Sequence, residues 1–168
     1  MALHVMDEAN RCLGCKVPQC QKGCPISTPI PEVIKLLKAN KLDEAGKMLF
    51  ENNPLTTVCS LVCNHENQCE GHCVLGRKGA PVHFSTIESY ISTTYANKMT
   101  QGPAPSNCMR AAIIGSGPAG LTIAVSLQDM AMMLLFLKEK IKLAVSFVTV
   151  SRNSVCQNLS WMILNTAT

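Results

Sequence analysis

The stretch RCLGCKVPQCQKGCP, residues 11–25, decides what kind of domain this chain forms. Its four cysteines have the spacing Cys-x2-Cys-x4-Cys-x3-Cys, and proline follows the last one. A second group with the spacing Cys-x3-Cys-x5-Cys-x3-Cys consists of Cys59, Cys63, Cys69 and Cys73. Thiolates are the usual ligands of iron–sulfur clusters, and a terminal Cys-Pro of such a run ligates the other cluster in two-cluster ferredoxins. The two groups therefore predict two [4Fe–4S] clusters with interleaved ligation.

Two other uses of many cysteines have to be weighed. The first twelve residues contain no apolar segment of signal-peptide length, so we expect a cytoplasmic protein with reduced thiols rather than a disulfide framework. Paired structural zinc sites also use four thiolates. Such sites usually come as short Cys-x2–4-Cys knuckles, and the gaps in this chain fit that pattern poorly. Iron–sulfur clusters are favoured, and zinc stays open as the alternative.

Charge and hydropathy exclude two classes of partner. The net charge of +4 is spread along the chain without a basic block, so no nucleic-acid partner is expected. The most apolar region, residues 131–150, is interrupted by the four charged residues Lys138, Glu139, Lys140 and Lys142. No uninterrupted run is long enough to span a bilayer, so no membrane partner is expected either.

Apolar periodicity predicts that residues 1–100 are mainly helical. Two amphipathic helices are expected between the cysteine groups, with one apolar face each: Val33, Ile34, Leu37, Leu42, Ala45 and Leu49. A third helix is predicted within residues 81–98, with Ile87, Tyr90 and Ile91 turned inward. Residues 101–109 are rich in proline, glycine and serine and are interpreted as a linker.

A glycine-rich turn follows the linker. Gly115-x-Gly117-x-x-Gly120 comes after an apolar strand candidate and opens a helix, which is the context of a dinucleotide-binding fingerprint. Its glycines allow a tight turn, the approach of a pyrophosphate to the backbone, and close packing of helix on strand. Residues 110–128 are therefore predicted to be the first βα unit of an incomplete Rossmann-like domain. The second strand with a terminal carboxylate that the fold needs is not found after Leu127.

The cysteine segments resemble a known family. Residues 11–25, NPLTTVCSLVCNHENQCEGHCVLG at 53–76 and PVHFSTIESYI at 81–91 are similar to the N-terminal domain of the NADPH-dependent glutamate synthase small subunit. The same domain occurs in the ferredoxin–NADP transhydrogenase large subunit and in dihydropyrimidine dehydrogenase. The resemblance covers residues 10 to about 128. It implies an all-helical domain with two [4Fe–4S] clusters that carry electrons between a flavin and a partner catalytic site.

The resemblance also implies how the ligands are shared. One cluster would be held by Cys12, Cys15, Cys20 and Cys73. The other would be held by Cys24, Cys63, Cys69 and, in place of a fourth cysteine, Glu88. On spacing alone Glu88 would instead be a solvated helix residue. Cys59 is left over and is expected to be a buried small side chain.

For the glycine turn the resemblance implies FAD, bound at Gly115, Gly117 and Gly120. Codons compatible with residues 129–137, read two nucleotides later, encode GYDVTIFE, which is the missing strand with its terminal carboxylate. Our hypothesis is therefore a single-nucleotide loss after the Gln128 codon, which makes residues 129–168 an out-of-frame tail without a native fold. A genuine apolar helix and strand is the competing interpretation.

The resemblance implies a parent flavoprotein oxidoreductase in which NADPH reduces FAD and the clusters pass electrons to a partner subunit or domain. The chain itself is expected to be a truncated fragment that is catalytically incomplete, and no catalytic residue is assigned to it. Two alternatives stay open. One is a zinc-binding interaction module, and the other is a non-functional truncation product.

Overall fold

The structure is a computed structural model that describes residues 2–98, 107–115, 117–129 and 132–137. The chain divides into two compact units, Met1–Thr100 and Gln101–Thr168. Throughout the described ranges, each helix is either too short or too polar to cross a bilayer.

The first unit is helical, as the apolar periodicity predicts. Its six α-helices are α1 (Ala2–Arg11), α2 (Gln19–Lys22), α3 (Ile30–Lys38), α4 (Leu42–Asn52), α5 (Thr56–Val62) and α6 (Phe84–Lys98). Two 3₁₀ turns lie between α5 and α6, at His65–Asn67 and Val74–Arg77. The cysteines lie mostly in the irregular segments that join these helices.

Helices α3 and α4 form the predicted pair. Pro31 lies in the first turn of α3, where backbone N–H groups have no partner within the helix, so the N–H that proline lacks breaks no hydrogen bond. Lys35 and Lys38 lie in the last turn, where the helix dipole favours positive charge. The predicted inward faces are confirmed, because five of the six residues named above are buried and Leu42 is half-buried. Asn40 takes a left-handed conformation, with φ of 58°, in the short turn between the two helices.

Helix α6 is the centre of the unit. Ile87 and Ile91 are fully buried, and the helix packs against α4 and α5 as well as α1 and α3. Gly46 of α4 lies so close to the ring of Tyr95 that a Cβ at this position would collide with it. Tyr90, which we expected to point inward, is half-buried at the edge of the core.

The second unit contains a βαβ arrangement: β1 (Arg110–Ile114), α7 (Pro118–Asp129) and β2 (Met133–Leu137). The strands pair in parallel, with Arg110 opposite Met133 and Ile114 opposite Leu137. Strand β2 corrects the sequence analysis, which found no second strand after Leu127. The sequence of β2, MLLFL, is an uninterrupted apolar run, and such a run is compatible with a parallel strand even though it shows no period-2 alternation.

The other expectations for residues 129–168 are only partly addressed by the structure. Lys138, Glu139 and everything after them lie outside the described residues, including a carboxylate that could follow the strand. Met133–Leu137 form a strand, and the expectation that residues 129–168 lack a native fold stays a prediction. The out-of-frame origin of the tail stays a hypothesis.

Candidate metal centres

Five thiols line one cleft, here called the first cleft: those of Cys12, Cys15, Cys20 and Cys73, and that of Cys69, which is described below. Cys12 directly follows α1, Cys15 lies in the next loop, Cys20 is in α2, and Cys73 precedes the second 3₁₀ turn. Apolar side chains form much of the remaining wall: Ile30, Ile34, Val74, Leu75, Val82 and Phe84. The fold therefore brings Cys73 to the three cysteines that lie some fifty or more residues before it.

The first cleft disfavours the thiolate form of Cys20 in the absence of a cation. The pKa of Cys20 is raised to about 11, mainly by burial, and the neighbouring thiols of Cys73 and Cys12 contribute to that shift. Thiolates clustered in an apolar wall repel each other, so their ionisation needs a positive centre among them. Metal binding supplies that charge and displaces the protons.

A second set of thiols lies beside α6. The pKa of Cys69 is raised to about 12, mainly by burial, and the nearby charges of Glu70, Cys24 and Glu88 contribute to that shift. Burial also raises the pKa of Cys63, again with Cys24 and Glu88 among the neighbours that add to the shift. Cys69 also lines the first cleft, so the two sets adjoin each other. The second set thus joins three cysteines to one buried carboxylate.

Glu88 is not a solvated helix residue, because it is only 6% exposed. Its Oε1 accepts a 2.6 Å hydrogen bond from the Thr56 hydroxyl, and its Oε2 lies 3.7 Å from His65 Nε2. Burial raises the pKa of Glu88, and the hydrogen bond from Thr56 and the proximity of His65 oppose the shift. The surface position that spacing alone suggested is therefore wrong.

A buried carboxylate that the sequence analysis missed ties α1 to the segment before α6. Glu8 Oε1 accepts hydrogen bonds from Arg11 Nη1 at 2.6 Å and from the backbone N–H of His83 at 2.7 Å. Arg11 also donates to the carbonyl oxygens of Pro81 at 3.1 Å and Ala80 at 2.5 Å. Because Arg11 directly precedes Cys12, this network fixes the start of the first cysteine group against residues seventy positions away.

Glu70 makes a matching connection for the second group. It follows Cys69 directly, is buried, and accepts a 2.8 Å hydrogen bond from the backbone N–H of Ser85 in the first turn of α6. Its other oxygen lies 3.2 Å from His83 Nδ1. A carboxylate is favourable at a helix N-terminus, where backbone N–H groups lack partners. Cysteine-bearing segments from both groups are thus anchored to the start of the helix that carries Glu88.

Several cysteine sulfurs form hydrogen bonds with neighbouring polar side chains. Cys24 Sγ shares a hydrogen bond with the Thr28 hydroxyl at 3.3 Å, and Cys63 Sγ donates to Gln68 Oε1 at 3.4 Å. Cys59 accepts a hydrogen bond from Asn53 Nδ2 at 3.1 Å and is half-buried. The expectation that Cys59 would be a buried small side chain is therefore wrong, because its sulfur has a polar partner near the surface.

The loop between Cys69 and Cys73 has no room for a side chain at its centre. A Cβ at Gly71 would collide with the backbone carbonyl oxygen of Glu66.

Within the ranges that the structure describes, no three His, Cys, Asp or Glu side chains converge closely enough to bind a single metal ion. The thiols of the first cleft surround a space instead of meeting at a point.

The glycine turn of the second unit has the predicted strand–turn–helix context. Gly115 has a φ of 97°, which favours glycine, and it joins β1 to α7. A Cβ at Gly120 would collide with the carbonyl oxygen of Gly115, so the helix passes the turn too closely for any side chain. Gly117 has open space around its Cα, on the side where a Cβ would lie.

Comparison with known proteins agrees with the resemblance noted from the cysteine segments. The chain is 35% identical to the glutamate synthase [NADPH] small chain of Azospirillum brasilense, over 73% of this chain and 26% of that protein. It is 37% identical to the same protein of Escherichia coli, over 70% and 25% of the respective lengths. It is also 30% identical to the NAD-dependent dihydropyrimidine dehydrogenase subunit PreT of Escherichia coli, over 76% and 32%.

The chain spans about a quarter to a third of the length of these curated relatives. The family described as dihydropyrimidine dehydrogenase domain II, 4Fe-4S cluster, matches residues 2–100, which include every proposed ligand. The chain therefore belongs to this family of 4Fe-4S cluster domains.

Proposed function

We propose that the first unit holds two [4Fe–4S] clusters and is the electron-transfer module of an NADPH-dependent flavoprotein oxidoreductase of the glutamate synthase small-subunit type. The observation that carries the proposal is the first cleft, where Cys73 joins cysteines from the other end of the unit. The printed names of the relatives, which are glutamate synthase and dihydropyrimidine dehydrogenase subunits, support the oxidoreductase class.

The proposed ligand sets follow the two groups of thiols. The first cluster would be held by Cys12, Cys15, Cys20 and Cys73. The second would be held by Cys24, Cys63, Cys69 and Glu88. The residues fit such a group, because the first set combines soft thiols with an apolar wall and the second combines them with the buried side chains of Cys69 and Glu88.

Bound clusters of this type take up and release single electrons. The chain's own residues set the conditions for that chemistry. Glu88 adds a harder, negatively charged oxygen to the second set, and a hydrogen bond donated by the Thr28 hydroxyl would adjust how strongly the Cys24 sulfur donates. The apolar wall of the first cleft keeps the local dielectric low. We expect the two sets to give different reduction potentials for this reason.

Three serine variants of the full chain test the ligand sets. Anaerobically purified wild-type protein should contain roughly eight irons, as two four-iron clusters require. Cys20→Ser and Cys63→Ser should each lose about four of them, from different clusters with different visible and paramagnetic spectra. Cys59→Ser is the matched control and should keep all of them. Iron loss in Cys59→Ser equal to that in Cys63→Ser would contradict the assignment.

The second unit is proposed as the start of an FAD-binding domain that belongs to the longer oxidoreductase. Its βαβ pairing and the crowding at Gly120 support this proposal, since both suit a pyrophosphate at the helix N-terminus. Electrons would then pass between the flavin and a partner catalytic subunit or domain. Sequencing the transcript across the Gln128 codon tests the frame hypothesis, which a nucleotide sequence that does not encode GYDVTIFE two nucleotides further on would refute.

A further inference from the structure

The two oxygens of the Glu88 carboxylate have different surroundings. Oε1 accepts the short hydrogen bond from Thr56 Oγ1, at 2.6 Å. Oε2 lies 3.7 Å from His65 Nε2, which is beyond hydrogen-bond distance. Both Glu88 and Thr56 are buried, Thr56 completely, so water does not replace this hydrogen bond. One oxygen of the carboxylate is thus engaged by the protein, and the other remains available.

We infer that Thr56 is a positioning residue for the second cluster: its hydroxyl holds Oε1 and leaves Oε2 as the oxygen that binds iron. This inference rests on the ligand set proposed above. The charge of Glu88 is close enough to the thiols of Cys63 and Cys69 to help raise the pKa of both.

The position of Thr56 explains why it can orient a carboxylate. It is the first residue of α5, which packs against α6, and its β-branched side chain has few rotamers in a helix. The terminal torsion of a glutamate is broad and roughly two-fold, so burial alone does not select one oxygen. A hydrogen bond to a charged acceptor selects it, because the buried Oε1 would otherwise lose its partner.

The hydrogen bond should also affect the electronic properties of the cluster. A donor to an anionic ligand withdraws part of its negative charge, which favours the reduced, more negative form of the cluster. Removing the Thr56 hydroxyl should therefore shift the reduction potential of the second cluster to a more negative value. The first cluster, whose proposed ligands do not include Glu88, should keep its potential.

The chain supplies a matched control in the adjacent residue. Thr57 has the same side chain in the same helix turn, and its buried Oγ1 has no hydrogen-bond partner among the residues that the structure describes. Thr57→Val therefore makes the same chemical change as Thr56→Val without removing a hydrogen bond. Thr56→Ser keeps the hydroxyl and removes only a methyl group.

The experiment is an anaerobic redox titration of the full chain, followed by electron paramagnetic resonance. Thr56→Val should shift the potential and the spectrum of one cluster, or bind only about four irons, while Thr56→Ser and Thr57→Val match wild type. Wild-type potentials in an iron-replete Thr56→Val protein would overturn the inference, as would an equal shift in Thr57→Val. If Thr56→Val does not fold, Thr56→Ala, which also lacks the hydroxyl, decides in its place: a shifted potential of one cluster supports the inference, and wild-type potentials in an iron-replete Thr56→Ala protein overturn it. An iron-free wild-type protein would instead refute the proposed function itself.

Discussion

Replacing Glu8 with glutamine tests whether a buried charge holds the cysteine-bearing segments in place. Glu8 is 8% exposed and accepts hydrogen bonds from Arg11 and from the backbone N–H of His83. Burial opposes its ionisation, but the bonds and charge of Arg11 and His83 outweigh that effect, so the pKa of Glu8 lies below its ordinary 4.5. Glutamine has nearly the same shape and an acceptor oxygen, so Glu8→Gln removes mainly the charge.

The magnitude follows from the two hydrogen bonds. A hydrogen bond to a charged group contributes about 1.5–3 kcal/mol and a neutral one about 0.5–1.5 kcal/mol. Arg11 is 38% exposed, so solvent screens part of its interaction. We therefore expect Glu8→Gln to lower the free energy of unfolding by about 1–2 kcal/mol at pH 7. In a domain of this size, that loss corresponds to a melting temperature lower by roughly 5–15 °C.

The pH dependence separates the charge of Glu8 from other effects. Because folding lowers its pKa, the stabilisation is fully present above 4.5 and is lost as the pH falls through the folded-state pKa. The difference in melting temperature between wild type and Glu8→Gln should thus shrink as the pH falls from 4.5 through the folded-state pKa. Anaerobic melting followed by far-UV circular dichroism measures it. The exposed pair of Lys41 and Glu44 supplies the control, since Glu44→Gln should change little.

Two results would refute this reasoning about Glu8. The first is a Glu8→Gln protein that melts with wild type at pH 7, which would mean that the buried charge contributes nothing. The second is a difference that does not shrink as the pH falls from 4.5 through the folded-state pKa, where protonated Glu8 becomes as uncharged as glutamine.

Two further predictions concern packing. Ile87→Ala in the centre of α6 should lower the free energy of unfolding by about 2–5 kcal/mol, as measured by thermal melting, whereas Leu61→Ala at an exposed position should have little effect. Gly71→Ala places a methyl group against a backbone carbonyl that has no room to move, so it should cost about 1–3 kcal/mol or more and reduce bound iron, measured by metal analysis. Gly79→Ala, with open space around it, is the control for Gly71→Ala, and equal iron loss in both variants would contradict the steric explanation.

Helices α3, α4 and α6 could be predicted because each places its large apolar side chains at helical spacing. Helix α5 could not be predicted in this way, because its polar side chains are buried and its apolar side chains are exposed. Its buried face is formed by Thr56 and Ser60, while Val58, Leu61 and Val62 are exposed. A prediction from periodicity places the apolar side of a helix in the core. In α5 the polar side faces α6 instead, because the Thr56 hydroxyl donates a hydrogen bond to the Glu88 carboxylate there.

The candidate site, too, could be predicted from the sequence only in part. The cysteine spacing identified the thiols, but the grouping of Cys73 with Cys12 came from the family resemblance, since spacing does not reveal which distant segments meet. The buried carboxylates Glu8 and Glu70 have no local signal at all. Glu8 accepts a hydrogen bond from the backbone N–H of His83, and Glu70 accepts one from the backbone N–H of Ser85. These hydrogen bonds form only in the folded chain. Strand β2 was missed because an uninterrupted apolar run carries no period that distinguishes strand from helix.

The most direct test of the account is a metal and sulfide analysis of the full chain, purified without oxygen. Two four-iron clusters predict a brown protein with roughly eight irons and eight acid-labile sulfides per chain and little zinc. A colourless protein with about two zinc ions and no sulfide, or a soluble protein without any metal, would contradict it.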